Sequence, residues 1–374
     1  MNSKERILAA IKFKEVDYVP MNIPWNPRPA EGFTWNNERE YLEIEKKMGL
    51  DSTVGLYAGI SMPPEVKVLH KVIEDGQNKI LHQTWETPAA TLTEQILLTD
   101  DFEDYNGERH LGMLSDFRTS RYIEYPFKEE KDLEALKYIF PEDNPADEEY
   151  IKNSYESRKN LAAEFGCILM PYVSAGLDWL IWLYKAEEAV FRTVDHPEFI
   201  EKLLEPINKA YYKRMEMALN MGVDAIMRRG WYESADFWSP EIYERFAMPA
   251  LKKEIDMCHE AGVPYVYIMD SGIKPLLPQL AALGIDCIQG ADPVLGGTDI
   301  STLRAALPKT AIWGGLSGPA QFGADSPEPI EKAVEEAIEK TGKKGLILGM
   351  AVGYREYFPF SNYLAADKVW RKLR

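Results

Sequence analysis

The sequence predicts an α/β fold, a (β/α)8 TIM-type barrel with an antiparallel hairpin inserted after the second strand. Three observations carry this expectation. Residues 223–292 repeat one unit: an apolar run, a polar tip, a helical segment, a glycine and the next apolar run. That series implies parallel strands joined by right-handed crossovers. The same alternation recurs on both sides of this stretch, giving about eight strands in all. Finally, 374 residues with 45% hydrophobic content can bury one large core, so residues 1–374 are taken as a single domain.

The elements follow in chain order. Residues 3–14 read as a short amphipathic helix through Ile7, Leu8 and Ile11, and residues 19–23 as the first strand. Pro24-Trp25-Asn26-Pro27-Arg28-Pro29 is a proline-stiffened loop that would hold Trp25 and Arg28 at low entropic cost. A charged helix over 38–48 closes at Gly49, and residues 51–57 form the second strand. The period then changes. Residues 79–85 and 90–98 read as two antiparallel strands around Glu86-Thr87-Pro88, within an inserted region spanning about 65–125. The charged run 128–137, with the Pro-rich stretch that follows it, reads as a solvated linker.

Residues 148–164 are helical, and 167–173 form the third strand. A helical region from 177 to 221 breaks at Asp195-His196-Pro197, with Asp195 expected to cap its second half. Residues 223–227, 263–269 and 285–288 are the next three strands. Ser239-Pro240-Glu241 starts the helix between the first two of these, with Ser239 as its cap. Strands over 311–315 and 345–349, a helix between them that starts at Asp325-Ser326-Pro327-Glu328 and runs to Gly342, and a terminal helix over 361–374 complete the chain.

A formal charge of −17 argues against nucleic-acid binding, which needs clustered Lys and Arg. No apolar run approaches the roughly 20 residues that span a bilayer. Charged residues at Lys4, Glu5 and Arg6 stand where a signal peptide would need its apolar core, which makes a cytoplasmic location the expectation. Cys167, Cys258 and Cys287 are isolated and form neither a disulfide framework nor a zinc motif.

Gly222-Val223-Asp224-Ala225-Ile226 is followed by Trp238-Ser239-Pro240-Glu241-Ile242-Tyr243 with Pro249, and then by Gly262-Val263-Pro264 before Asp270-Ser271-Gly272. Ile347-Leu348-Gly349, running through Gly353 to Pro359 and Asn362, closes the series, and the chain opens with Val16-Asp17-Tyr18-Val19-Pro20. In their order and spacing these segments resemble the uroporphyrinogen decarboxylase superfamily, which holds the decarboxylase and corrinoid-linked methyltransferases on one barrel.

The departures narrow what the resemblance implies. The family's thiol methyltransferases hold zinc through a His-x-Cys and a distant Cys; here those places fall on Met269, Ser271 and near Val352. That thiolate site is absent, and a metal held by other ligands stays open. The decarboxylase uses an arginine-rich N-terminal motif and an Asp at the end of the second strand. Here Arg28 stands alone among prolines and Tyr57 lies near the expected Asp, so an octa-anionic porphyrinogen finds no strongly positive cleft.

Polar residues at the carboxyl ends of barrel strands face the mouth where chemistry sits. Asp270, Asp292 and Tyr354 are the candidate catalytic acids; otherwise Asp270 would cap the helix at Pro275 and Asp292 a turn at Pro293. Trp25, Arg28, Tyr57, Tyr172, Arg228, Arg229, Trp231, Gln289 and Arg355 are candidate substrate-binding residues. At most one of Arg228 and Arg229 can face the mouth, and the alternative for them is an ion pair with Glu233 or Asp236.

The resemblance implies a methyltransferase that takes a methyl group from a small substrate such as an aryl methyl ether. The acceptor would be a corrinoid on a separate carrier protein, with no cofactor held tightly by this chain. It also implies a homodimer. The alternatives are a cofactor-free decarboxylase of a small or cyclic acid, held by Arg228 or Arg28, and a non-catalytic binding protein on the same barrel.

Overall fold

The computed structural model describes residues 1–23, 32–57, 62–98, 121–351, 355 and 357–374. Among them, seven parallel strands form the barrel wall: β1 (Thr53–Tyr57), β6 (Ile168–Ser174), β7 (Ile226–Arg229), β8 (Tyr265–Met269), β9 (Cys287–Gly290), β10 (Ala311–Ser317) and β11 (Leu346–Ala351). They pair in the order β1-β6-β7-β8-β9-β10-β11, so each strand lies beside its successor in the wall. A TIM-type barrel is the result.

The expected first strand shrinks to a single parallel bridge, Met21 to Leu348. Pro20 has no N–H to donate, which shortens the ladder. The segment still spans the gap between the wall's two edges. Asn22 N donates to Leu348 O at 2.9 Å on one side, and Asp51 N donates to Met21 O at 2.9 Å on the other.

The barrel has two cores. Inside the wall, Ile168, Met170, Ala225, Met227, Val266, Ile268, Cys287, Ala311, Trp313 and Ile347 pack together. Ile7, Ala10 and Ile11 of the helix Ser3–Ile11 join this set and plug the amino-terminal end. Asn2 and Glu5 form a capping box at the start of that helix, which fixes where the plug begins. Outside the wall a larger core packs the opposite strand faces against the surrounding helices, including Trp238, Tyr243, Tyr265, Tyr267 and Trp370.

The insertion is larger than the expected hairpin. β2 (Lys67–Asp75), β3 (Asn78–Glu86), β4 (Thr91–Leu98) and β5 (Tyr122–Glu124) form an antiparallel sheet in that order. β3 and β4 are the expected pair, turning at Thr87, whose backbone N donates to Ala90 O at 3.0 Å. β2 escapes a periodicity reading because its residues are mostly exposed, so its sequence carries no alternation. The buried face of the sheet sets Trp85 and Leu92 into the barrel's outer core, with Trp85 Nε1 donating to buried Glu94 at 2.8 Å.

Three further expectations need correction. Residues 128–137 are not a solvated linker: a 3-10 turn over Glu130–Ala135 runs into a helix over Leu136–Ile139. Ala135 and Leu136 stand four and three residues before Ile139, on one helical face, and all three are fully buried, which outweighs the charges around them. Asp195 does not cap the helix Pro197–Met221; it ends the preceding helix, and His196 holds the cap position without a side-chain bond. The helix begun at Ser239 divides into Pro240–Phe246 and Met248–Glu260, because Pro249 removes a donor and crowds the turn before it. Ser239 caps the first piece by accepting from Ile242 N.

Candidate active site

The site is set by strand parity. Ala225 and Met227 of the β7 segment pack inside the wall, so Arg229 faces the mouth and Arg228 turns outward between strand and helices. Arg228 is fully buried there. Its Nη2 donates to Glu233 at 2.8 Å and to Ala175 O at 2.6 Å, and its Nε lies 3.2 Å from Glu254. Tyr267 donates to Glu233 at 2.7 Å and Tyr265 donates to Glu254. Burial works against the Arg228 charge, but Glu233 and Glu254 outweigh it and hold its pKa well above the ordinary value. The guanidinium is committed to this network, as one of the two sequence readings for it required.

Arg229 is almost buried, with its guanidinium 4.9 Å from the Trp182 ring centre and 5.1 Å from that of Trp231. Such stacking orients a planar cation at low entropic cost. Beside it lies Asp178, which sequence reasoning missed. It is a fully buried residue opening the helix Asp178–Leu183. Asp178 Oδ1 accepts from Tyr232 N at 2.6 Å, and Oδ2 has no hydrogen-bond partner among the described residues. Burial, then the charge of Glu233, pushes this carboxyl up to about 7 against the pull of Arg228 and Arg229. The available signal was an Asp at the head of the apolar run Trp179-Leu180-Ile181-Trp182.

Asp270 follows β8 at the mouth and does not cap the next helix, whose cap position is Ile273. Its carbonyl accepts from Asp292 N at 2.8 Å, which ties the two carboxylate-bearing residues together across β8 and β9. Gly290 makes room for it: a Cβ there would stand 2.2 Å from Asp270 Oδ1, and its φ of +94° suits glycine alone. Burial, followed by the charge of Asp292, raises the Asp270 carboxyl to about 6. Asp292 does cap the expected turn, its Oδ1 accepting from Val294 N and Leu295 N at 2.8 Å each. Its Oδ2 is buried without a hydrogen-bond partner among the described residues.

Below this layer the barrel holds a cavity of roughly 140 Å³ bounded by Asn22, Thr53, Met170, Tyr172, Met227, Gln289 and Trp313, and by Tyr41 and Glu45 from the helix Glu38–Met48. Glycines shape it. A Cβ at Gly55 would come within 2.8 Å of the Tyr172 ring, and one at Gly349 within 3.1 Å of Trp313. Gln289 Oε1 and Trp313 Nε1, an acceptor and a donor, have no hydrogen-bond partner among the described residues. Apolar walls with a few convergent polar atoms are the ordinary make-up of a small-molecule site.

The remaining candidates divide. Trp231 is partly exposed at the mouth and Arg355 is exposed. Trp25, Arg28, Tyr354 and Val352 lie outside the described residues, as does the side chain of Tyr57, which ends β1. At the family's zinc positions, Met269 is buried in the outer core and Ser271 donates to Asp236, so neither is a metal ligand. Among the described residues no three His, Cys, Asp or Glu side chains stand together as a metal site. No described helix is long and apolar enough to cross a membrane.

The family model for uroporphyrinogen decarboxylase (URO-D) matches residues 110–369, well over half of the sequence. The chain belongs to the uroporphyrinogen decarboxylase family. No curated protein matches the sequence. Among solved structures, a methyltransferase from Methanosarcina mazei is similar over 100% of this chain and 99% of its own, with a TM-score of 0.66 at 15% identity. At that identity the likeness is one of fold. A B12-independent methionine synthase from Shewanella sp. W3-18-1 gives a TM-score of 0.48 at 11% identity, covering 97% of this chain and 96% of that one. A D-psicose 3-epimerase from Clostridium cellulolyticum H10 gives 0.34 at 13% identity over 59% and 75%. Within this uroporphyrinogen decarboxylase family member, the carboxyl layer at the mouth and the aromatic cavity beneath it are the features that bear on chemistry.

Proposed function

We propose that this family member is a methyltransferase that removes a methyl group from a small aryl methyl ether and passes it to a corrinoid carried by a separate protein. Asp270 is the observation that carries the reading: a carboxyl raised to about 6, beside Asp292, at the mouth of an aromatic-lined barrel. Cleaving an ether at the methyl carbon leaves an aryloxide, a poor leaving group unless a proton reaches its oxygen. A carboxyl that retains part of its proton near neutrality can supply it, and the neighbouring Asp292 charge disfavours early loss of that proton. The corrinoid, when docked, supplies the nucleophile that takes the methyl group.

The chain's own residues do the rest. Tyr172 and Trp313 give flat walls for an aromatic ring, and Gln289 Oε1 with Trp313 Nε1 can orient its polar substituents. Trp231, Val294, Leu295 and Tyr357 are exposed apolar side chains in segments that follow β7, β9 and β11, which suits a carrier protein closing over the mouth. The fold likeness to the Methanosarcina mazei methyltransferase supports the same reading.

The test is to mix purified protein with reduced cobalamin or a reduced corrinoid protein and a panel of methoxylated aromatics. Phenol release, with loss of the reduced-cobalt spectrum, is the expected result. Asp270→Asn should slow it roughly 100-fold or more. A second reading, cofactor-free decarboxylation, draws on Arg229 facing the mouth beside Asp178, whose carboxyl is raised to about 7. Carbon dioxide release from aromatic acids without any corrinoid, and no demethylation, would establish that reading in place of the first.

A further inference from the structure

The cavity below the carboxyl layer carries two buried polar atoms of opposite kind. Gln289 on β9 and Trp313 on β10 are register partners and both line the cavity, so their side chains stand beside each other on one stretch of wall. Trp313, 1% exposed, presents the donor Nε1, and Gln289 presents the acceptor Oε1. Neither atom has a hydrogen-bond partner among the described residues. A ligand that bonds to both would remove the cost of leaving them bare.

The wall gives no support to an anion. Glu45 reaches the cavity from the helix Glu38–Met48, almost fully buried, and accepts from Tyr41 at 2.8 Å and from the Ser52 hydroxyl. Among the described residues no cation pairs with Glu45, and no Lys, Arg or His lines the cavity. Ionised, Glu45 repels an anion; protonated, it offers no charge to balance one. The other ionisable groups on this wall are the Tyr41 and Tyr172 hydroxyls, and burial pushes both up, which keeps them neutral. The volume of roughly 140 Å³ is close to the about 150 Å³ of an apolar cavity that takes benzene, so one ring with one small substituent fills it.

A hydroxyl is the smallest substituent that accepts and donates at a single atom. We propose that the cavity takes one neutral phenol ring, whose hydroxyl accepts from Trp313 Nε1 and donates to Gln289 Oε1, and that it rejects the ionised form. A phenolate lacks the proton that Gln289 Oε1 needs and brings a charge that no described wall residue balances. A carboxylate fails for the same two reasons, and belongs at Arg229 on the mouth where a ligand carries one. Joined to the reaction proposed above, and resting on it to that extent, the inference names the substrates as methoxyphenols. Their free hydroxyl is buried in the cavity and their ether oxygen lies toward Asp270.

Calorimetric titration of the full chain with phenol, anisole and toluene tests the site without any corrinoid. Phenol should bind roughly tenfold tighter than anisole, which cannot donate, and than toluene, which neither donates nor accepts. Gln289→Leu and Trp313→Phe should each erase most of that advantage, with melting curves close to wild type because neither atom is bonded within the described fold. Phenol fluorinated at both ortho positions is close to phenol in size but ionises near neutrality. Its affinity should fall as pH rises from about 6 to about 9, while phenol, neutral to about pH 10, keeps its affinity and controls for the protein's own titrations. Three results would overturn the proposal: toluene as tight as phenol; a fluorinated phenol that binds better as it ionises, the mark of a Gln289 amide presenting its N–H; or no binding of phenol at millimolar concentration. Phenol binding without demethylation of any methoxyphenol removes the reaction and keeps the site. Demethylation that gains nothing from a free hydroxyl keeps the reaction and removes the site.

Discussion

Asp270 rests against the backbone of Gly290, in space that a single methyl group would fill, since a Cβ at Gly290 would stand 2.2 Å from Asp270 Oδ1. The carboxyl therefore sits on a residue whose φ of +94° excludes other side chains. Gly290→Ala should destabilise the protein by about 2 kcal/mol through that backbone conformation. It should also displace Asp270 and cut turnover at least tenfold in the protein that remains folded. Chemical denaturation and assays under folding conditions separate the two effects.

The same carboxyl makes a pH prediction. Asp270 is raised to about 6 from an ordinary 3.8. A carboxyl with a raised folded-state pKa binds its proton more tightly folded than unfolded. Its contribution to stability is therefore full below about pH 4 and lost as pH rises through about 6. Above that, the buried charge costs on the order of 2 kcal/mol, so Asp270→Asn should be more stable than wild type at pH 8 and close to it at pH 4. If Asp270 acts as the acid, turnover should fall as pH rises through about 6, and the variant should lose that limb of the profile.

Arg228 and Arg229 should respond in opposite ways to truncation. Arg228→Ala leaves Glu233 and Glu254 buried without their cation and should cost about 3–5 kcal/mol, read by urea denaturation. Arg229→Ala removes a stack on Trp182 and Trp231 at the mouth. It should weaken the binding of aromatic carboxylates, measured by titration calorimetry.

Trp313→Phe removes the indole N–H from the cavity and keeps most of the wall. Stability should move by less than about 1.5 kcal/mol, because an aromatic ring still fills the space. Substrate KM should rise roughly tenfold if the N–H orients the ligand. Unchanged KM would remove Trp313 from the binding set.

Much of this architecture follows from local chemistry. Apolar runs ending in Arg229, Asp270 and Gln289 marked β7, β8 and β9, because a strand buried on both faces must be apolar until it reaches the mouth. Ser239 before Pro240 marked a helix start for the same kind of reason, a donor needing an acceptor within three residues. β2 was not legible, because an exposed strand needs no alternation. The turn at Glu130–Ala135 was hidden by charges that share its surface with buried Ala135 and Leu136.

The sequence by itself determined the succession of strands and helices, the glycines that admit close approach and the carboxylates available at the strand ends, because these depend on neighbours within a few residues. Only the tertiary structure decided which of two adjacent arginines faces the mouth. That choice rests on the parity of β7 within the closed wall. Tertiary packing likewise turned Asp178 and Asp270 into carboxyls of raised pKa, since burial and the charges of Glu233 and Asp292 reach them from segments 55 and 22 residues away in sequence. Desolvation and field are properties of the assembled barrel, and no local pattern in the chain encodes them.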